Sequence, residues 1–199
     1  MRTLLAVAAV VCPLLVPFAA WAESLGHLQA LNHPAYHRAH ATVLDRPFHV
    51  FVRLPEGYEA SDRAYPTIYL LDGGGTFPLL AGYYPLLRAD DAAPEAILVG
   101  ISYGTGGPEA GNFRHVDYTV PTPDNDHAGR APDYKAFLAD QLIPLVERTY
   151  RADPARRVLF GQSRGGQFVL YAALTDPDLF WGYIASNPAI HRNLPFFLR

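Results

Sequence analysis

Ser163 has the sequence surroundings best suited to nucleophilic chemistry. It is the serine of the motif Gly-Gln-Ser-Arg-Gly at 161–165, which lies between an apolar run of strand type and an apolar run with helical spacing. A sharp turn from a strand into a helix strains the serine backbone and exposes its hydroxyl above the end of the sheet. Glycines two residues before and after the serine leave room for the crowded chain. The motif therefore predicts a nucleophile elbow with Ser163 as the nucleophile.

A serine that attacks an ester carbonyl also needs N–H donors for the oxyanion that forms. The geometry of the elbow supplies one of them, the backbone N–H of Arg164 at the start of the following helix. The second donor is expected in the loop after an earlier strand, where Asp-Gly-Gly-Gly-Thr follows an apolar run at 72–76. Gly74 and Gly75 are both candidates for this donor. The alternative for the glycine run is a tight turn without a catalytic role.

The elements that must position these groups follow from the apolar patterns. An alternating segment at 48–54 predicts an antiparallel strand, and continuous apolar runs predict buried parallel strands. The runs lie at 67–71, 96–101, 158–160 and 183–185, and helices are predicted at about 77–87, at 134–150 with a kink at Pro144, and after the elbow. Strands that alternate with helices predict an α/β fold, a mostly parallel sheet with helices on both faces. The long segment 105–130 is expected to be a functional loop.

Composition and charge limit the class of partner. The chain has 199 residues, 50% of them hydrophobic, and a net charge of -3. This balance gives no reason to expect a nucleic-acid or anionic-membrane partner, and the expected partner is a small molecule. Cys12 is the only cysteine and lies in the leader described next. The mature protein is therefore expected to lack thiols, which excludes cysteine catalysis.

Residues 1–22 are predicted to be a secretory signal peptide. Arg2 precedes an apolar run that ends in Ala-Trp-Ala at 20–22, so cleavage is expected after Ala22. A membrane anchor is the alternative, but Pro13 and Pro17 interrupt the run. The protein is therefore expected in the periplasm or outside the cell, without membrane attachment after cleavage. The predicted domains are an N-terminal lead-in at 23–43 and one α/β domain at 44–199, which carries the elbow.

Four histidines in the lead-in raise the question of a metal site. They are His27, His33, His37 and His40. Pro34 interrupts the helix that would align them, and no carboxylate accompanies them before Asp45. The prediction is therefore that the protein uses no metal and no other cofactor.

Short motifs carry a family resemblance from about residue 44 to the end. They are Leu-Leu-Asp-Gly-Gly at 70–74, Val-Gly-Ile-Ser-Tyr at 99–103, Asp-Tyr-Thr at 117–119, Leu-Ile-Pro at 142–144, Gly-Gln-Ser-Arg-Gly-Gly at 161–166 and Ser-Asn-Pro at 186–188. With these motifs in order, the chain resembles the putative esterase family of α/β-hydrolases, which includes S-formylglutathione hydrolases, feruloyl esterases, siderophore esterases and mycolyltransferases. The resemblance implies that Ser163 is the nucleophile and Arg164 an oxyanion donor. Asp117 matches a motif residue that we interpret as structural, and the candidate substrate contacts are Tyr103, Arg114 and Tyr118.

The chain departs from this family after the elbow. In this fold the acid and the histidine follow the serine, on loops after the last two strands. The 36 residues after Ser163 have room for one strand only, so the fold is expected to lack the last strands. His191 is the one histidine in that stretch and the alternative base, and His115 and His127 in the long loop are further candidates. Asp176 and Asp178 follow the elbow helix and are interpreted as turn formers.

Two functional hypotheses follow. The first is an exported serine esterase that cleaves carboxylic esters through an acyl-enzyme on Ser163, with the acid and the histidine beyond Arg199. The second is a non-catalytic remnant or ligand-binding protein of the same fold, with binding surfaces at Tyr83, Tyr84, Tyr103 and Tyr118. An acyltransferase or a serine peptidase with the same elbow is a further alternative. The ester and the oligomeric state are left open.

Overall fold

One mixed β-sheet organises the molecule. A computed structural model describes residues 34–89, 91–121 and 129–198. The six strands in these ranges are β1 Ala35–Ala41, β2 Arg46–Arg53, β3 Tyr65–Leu70, β4 Ile97–Ser102, β5 Ala152–Gln162 and β6 Gly182–Ser186. They lie in the order β1-β2-β4-β3-β5-β6. The β1–β2 and β2–β4 pairs are antiparallel, whereas β4, β3, β5 and β6 run parallel.

Helices alternate with the strands after β3. They are α1 Gly73–Ala89, α2 Arg114–Asp117, α3 Ala131–Phe137, α4 Ile143–Thr149, α5 Arg164–Thr175 and α6 Leu194–Phe197. Short 3-10 turns lie at Tyr58–Ala60, Pro108–Ala110 and Ile190–Arg192. None of the helices in the described ranges is both long enough and apolar enough to span a membrane.

The two faces of the sheet are covered by different helices. Because successive strand residues point to opposite faces, Tyr69 of β3 lies in the larger core cluster, and Leu70 lies in the smaller one. The larger cluster packs β-strand residues against α3, α4 and α5, and it includes the fully buried Phe168 of α5. The smaller cluster packs Phe77 and Tyr84 of α1 against the other face. The α/β fold with helices on both faces, predicted from the sequence, is confirmed.

The face under α1 is only partly covered among the described residues. A groove of about 1010 Å³ separates α1 from β5 and β6, and its walls include Ile68, Phe160 and Ile184. Trp181 is 76% exposed at its rim, and Ile184 is 51% exposed. The groove is almost entirely apolar in its side chains, so this face carries exposed hydrophobic surface.

The sheet begins earlier than the predicted domain boundary at residue 44. Residues 35–41, assigned from the sequence to a lead-in, form β1 and pair with β2 from Ala35–Val52 to Ala41–Arg46. His37 donates to or accepts from the Tyr150 hydroxyl at 2.6 Å, and His40 lies 3.4 Å from Asp45. Within the described ranges no group of three or more histidine, cysteine or acidic side chains could hold a metal ion. His27, His33 and the predicted signal peptide lie outside the described residues.

The predicted helix at 134–150 is interrupted as its proline suggested. A π-helical segment, Leu138–Leu142, separates α3 from α4, and Pro144 is the second residue of α4. Proline has no N–H to donate to the carbonyl four residues earlier, so the helix cannot keep its regular hydrogen bonds there. The sequence predicted a kink at this position, and the structure has a change of helix type.

Candidate active site

Ser163 lies in the strained turn between β5 and α5. Its backbone angles are φ 57 and ψ -115, a conformation that non-glycine residues rarely adopt. Its N–H donates to the carbonyl of Ser186 at 3.0 Å, and its own carbonyl accepts from the N–H of Gln167 and of Ala189, each at 3.0 Å. Backbone contacts from α5 and from the end of β6 therefore hold the turn in the geometry expected of a nucleophile elbow.

Close backbone packing explains the glycines of the motif. A Cβ added to Gly161 would lie 2.4 Å from the carbonyl carbon and oxygen of Gly165. A Cβ added to Gly166 would lie 2.9 Å from the carbonyl oxygen of Ser186. These are contacts with backbone atoms, which cannot rotate away as a side chain can. The elbow therefore requires glycine at both positions.

The turn after β3 lies directly beside the elbow. β3 pairs in parallel with β5, with Leu70 opposite Phe160, so both strands end at the same edge of the sheet. A Cβ added to Gly165 in the first turn of α5 would lie 3.3 Å from Oδ2 of Asp72. Helices α1 and α5 thus begin side by side. Their N-termini carry partial positive charge and N–H groups without intrahelical acceptors, which suits a developing oxyanion.

The predicted glycine loop is in fact the first turn of α1, which begins at Gly73. The N–H of Gly75 donates to the carbonyl of Asp72 at 2.9 Å, and the N–H of Thr76 donates to the same oxygen at 3.1 Å. The two N–H groups that precede them in the helix belong to Gly73 and Gly74, where no carbonyl lies four residues back in the helix. This arrangement favours Gly74 over Gly75 as the second oxyanion donor.

Asp72 links this turn to the segment around α2. The guanidinium of Arg114 donates to both carboxylate oxygens of Asp72, from Nε at 2.7 Å and from Nη2 at 2.9 Å. The N–H of Asp72 donates to the hydroxyl of Tyr118 at 3.3 Å. Arg114 and Tyr118 were predicted from the sequence as substrate contacts, but their contacts with Asp72 were not predicted. No local spacing signals a pair that is 42 residues apart.

The three candidate substrate contacts differ in exposure. Arg114 and Tyr103 line a cavity of about 910 Å³, together with Asp72, Gly74 and Gln162. Tyr103 is only 7% exposed and Tyr118 is fully buried. Burial raises the pKa of both phenols, which therefore stay neutral and act as hydrogen-bonding groups beneath the cavity. Among the three, Arg114 has the greatest access to a ligand.

Asp117 bonds to Tyr103 of the cavity wall and has the environment of a structural group. It is fully buried, and Nη1 of Arg46 donates to its two carboxylate oxygens at 3.2 Å each. The hydroxyl of Tyr103 also donates to Oδ2 of Asp117, at 3.0 Å. Burial raises the pKa of Asp117, and the charge of Arg46 and the bond from Tyr103 oppose that rise. These contacts anchor α2, which carries Arg114.

In the described structure, neither His191 nor His115 is hydrogen-bonded to Ser163. His191 is exposed in the 3-10 turn after β6, and His115 stacks against Phe113. His127 lies outside the described residues. Within 34–89, 91–121 and 129–198, no hydrogen bond joins the Ser163 hydroxyl to a histidine. Asp176 lies 3.5 Å from Lys135 and caps the end of α5, as expected of a turn former.

The fold and the elbow define an α/β-hydrolase. A family model described as "Putative esterase" matches residues 41–192, about three quarters of the chain. The chain therefore belongs to this esterase family, as the sequence motifs predicted.

Curated and solved relatives agree with this assignment. Ferri-bacillibactin esterase BesA of Bacillus subtilis (strain 168) is 37% identical over 173 residues, which are 78% of this chain and 58% of BesA. An IroE-like serine hydrolase from Shewanella oneidensis has a TM-score of 0.69 and 30% identity, over 83% of this chain and 54% of its own. Siderophore hydrolase EstB from Aspergillus nidulans has a TM-score of 0.72 and 29% identity, over 84% of this chain and 60% of its own. The chain thus spans 54% to 60% of the length of these proteins.

Proposed function

We propose that this protein is an exported serine esterase that cleaves a small-molecule carboxylic ester through an acyl-enzyme on Ser163. The observation that carries the proposal is the position of Ser163, in a strained elbow between two adjacent helix N-termini. Family membership supports the esterase reaction. The predicted signal peptide supports export to the periplasm or beyond.

The proposed reaction has an acylation step and a deacylation step. Oγ of Ser163 attacks the ester carbonyl carbon while a histidine base takes the hydroxyl proton, and the carbonyl π electrons move onto oxygen. The N–H groups of Arg164 and Gly74 donate to that oxyanion. Collapse of the tetrahedral intermediate expels the alcohol, which receives the proton from the histidine. Water, deprotonated by the same histidine, then releases the acid and restores Ser163.

We place the acid and the histidine in polypeptide beyond Arg199. In α/β-hydrolases both follow the elbow serine in the chain, on later loops. The relatives described above are longer than the chain, which covers 54% to 60% of their lengths. His191 remains the alternative base.

The substrate class is suggested by the relatives. BesA is named as a ferri-bacillibactin esterase, and EstB as a siderophore hydrolase. We propose that the substrate is an extracellular or periplasmic ester of this chemical type. Polar groups on either side of its carbonyl carbon would bind in the cavity beside Asp72 and Arg114.

One observation favours a second candidate, a ligand-binding protein without turnover. Among the described residues no histidine is bonded to Ser163, and a serine hydroxyl without a base is a weak nucleophile near neutral pH. In this case the cavity would retain an ester without cleaving it.

Hydrolysis of p-nitrophenyl butyrate by the naturally expressed protein separates the two candidates. Ser163→Ala is expected to lower kcat by a factor of about 10³ or more, because the acyl-enzyme can no longer form. Ser61→Ala, a change in the loop before β3, is the control and is expected to retain wild-type activity. Equal rates in Ser163→Ala and wild type would contradict the esterase mechanism, and binding without any hydrolysis would favour the second candidate.

A further inference from the structure

We propose that Asp72 and Arg114 act together as positioning residues that set the oxyanion-donating N–H of Gly74 relative to Ser163. The inference rests on the proposed function. The first observation is the backbone of Asp72, which has φ 55, in the left-handed region that a non-glycine residue occupies only when its surroundings enforce it. Asp72 directly precedes α1, so its conformation determines the direction in which the first N–H groups of that helix point.

The contacts of Asp72 show what enforces this conformation. Its carbonyl accepts from Gly75 and Thr76 within the first turn of α1. Its N–H and its carboxylate are both held by the segment that contains α2, through Tyr118 and Arg114. A bidentate pair between a guanidinium and a carboxylate fixes direction as well as distance. The turn is thus held from the α2 segment as well as by bonds within the first turn of α1.

The same carboxylate also lies close to the elbow. Oδ2 of Asp72 is 3.3 Å from the position that a Cβ added to Gly165 would take. The N–H of Leu71 donates to the carbonyl of Phe160, which ties the end of β3 to β5. A displacement of Asp72 would therefore move Gly74 relative to the elbow.

Charge gives the pair a second effect on the reaction. An unpaired carboxylate at Asp72 would place negative charge beside the position where the oxyanion develops, and like charges repel. Arg114 compensates this charge through two short hydrogen bonds, and the pair is about three quarters buried. Removal of Arg114 alone would thus both loosen the turn and expose an opposing charge.

These two effects predict a pattern among variants of the full natural protein. Arg114→Met is expected to lower kcat for p-nitrophenyl butyrate by about 100-fold and to change KM less than about threefold. The reason is that the variant loses stabilisation of the transition state rather than substrate binding. Arg114→Lys keeps the charge but loses the bidentate geometry, and an intermediate loss of about 10-fold is expected. The double variant Asp72→Asn/Arg114→Met removes the opposing charge and is expected to recover about 10-fold over Arg114→Met.

The chain offers a matched control at the other end of α1. Arg88 pairs with Glu95, from Nε to Oε1, at the same distance of 2.7 Å and with similar exposure, 33% and 21% against 27% and 23% for Arg114 and Asp72. Arg88→Met therefore breaks an equivalent ion pair far from the site. It is expected to leave kcat unchanged.

A readout independent of activity completes the test. In protein labelled with ¹⁵N-glycine, the amide resonances of Gly73 and Gly74 are expected to shift in Arg114→Met and to stay unchanged in Arg88→Met. Unchanged resonances in Arg114→Met would overturn the inference whether or not the protein hydrolyses esters. Equal kcat values for Arg114→Met and Arg88→Met in an active wild type would also overturn it. Shifted resonances in a protein that hydrolyses no ester would support the positioning role and contradict the proposed esterase function.

Discussion

The elbow at Ser163 and the turn at Asp72 lie side by side but are held in different ways. The elbow is held by backbone atoms: Ser163 bonds Ser186, Gln167 and Ala189 through main-chain groups. The turn at Asp72 has backbone bonds from Gly75 and Thr76, but it is also held by the side chains of Arg114 and Tyr118, which are 42 and 46 residues away in the chain. The Ser163 side of the site is thus held through main-chain groups, and the Asp72 side depends also on side chains that are distant in the sequence.

This difference suggests different sensitivities to substitution. Backbone packing tolerates no added atom, so changes in the elbow should cost folding free energy. A turn held by side chains can survive the loss of a contact and still fold, so changes around it should alter activity more than stability. Two substitutions test the contrast, the first on the elbow and the second on the support of the turn.

Gly161→Ala is expected to have the largest effect on stability. Its Cβ would lie 2.4 Å from the backbone of Gly165, so the strand or the helix must shift, and we expect the free energy of unfolding to fall by about 3 kcal/mol. Gly75→Ala is the matched control, because nothing lies within 4 Å of its Cβ. That change is expected to be neutral or to stabilise by up to about 1 kcal/mol. Urea unfolding measures both, and similar values for the two variants would remove the steric explanation of the elbow.

Asp117→Asn is expected to have a smaller effect, about 2 kcal/mol, because its NH2 group cannot accept the bonds that Arg46 and Tyr103 donate to the carboxyl oxygens under α2. The effect should depend on pH. Burial raises the pKa of Asp117 above its usual 3.8, so ionisation is less favourable in the folded state than in the unfolded state. The stability advantage of the wild type over Asp117→Asn is therefore fully present below the unfolded pKa and shrinks as pH rises through the folded pKa.

Urea midpoints of both proteins across this pH range measure the difference. Esterase activity measured in parallel should fall in Asp117→Asn, since α2 carries Arg114. An advantage of the wild type that grows with pH would contradict the assigned direction of the pKa. Unchanged activity would show that the turn at Asp72 does not depend on the anchoring of α2.

The same contrast explains how much of the site could be predicted from the sequence. The elbow was predictable because its steric demands fall on glycines within a few residues of Ser163. The run of glycines at 73–75 was also recognised in the sequence. It was predicted to be a loop, whereas it forms the start of a helix. The pairing of Asp72 with Arg114 left no signal, because neither residue is unusual in its own segment.

The fold shows a similar division. Strands β2, β3, β4, β5 and β6 were predicted, because each contains an apolar or alternating run. Strand β1 was missed, since its buried side is made by Ala39 and Ala41, and its other residues include two histidines. Alanine gives little apolar contrast with its neighbours, so the alternation of this edge strand was not recognised.

The central claim is that Ser163 is the nucleophile, and covalent labelling tests it most directly. The naturally expressed protein is treated with a fluorophosphonate, and the adduct is located by intact and peptide mass spectrometry. A single adduct on the peptide that contains Ser163, absent from Ser163→Ala, is the expected result. No adduct on Ser163, or the same adduct in Ser163→Ala, would contradict the assignment of the nucleophile.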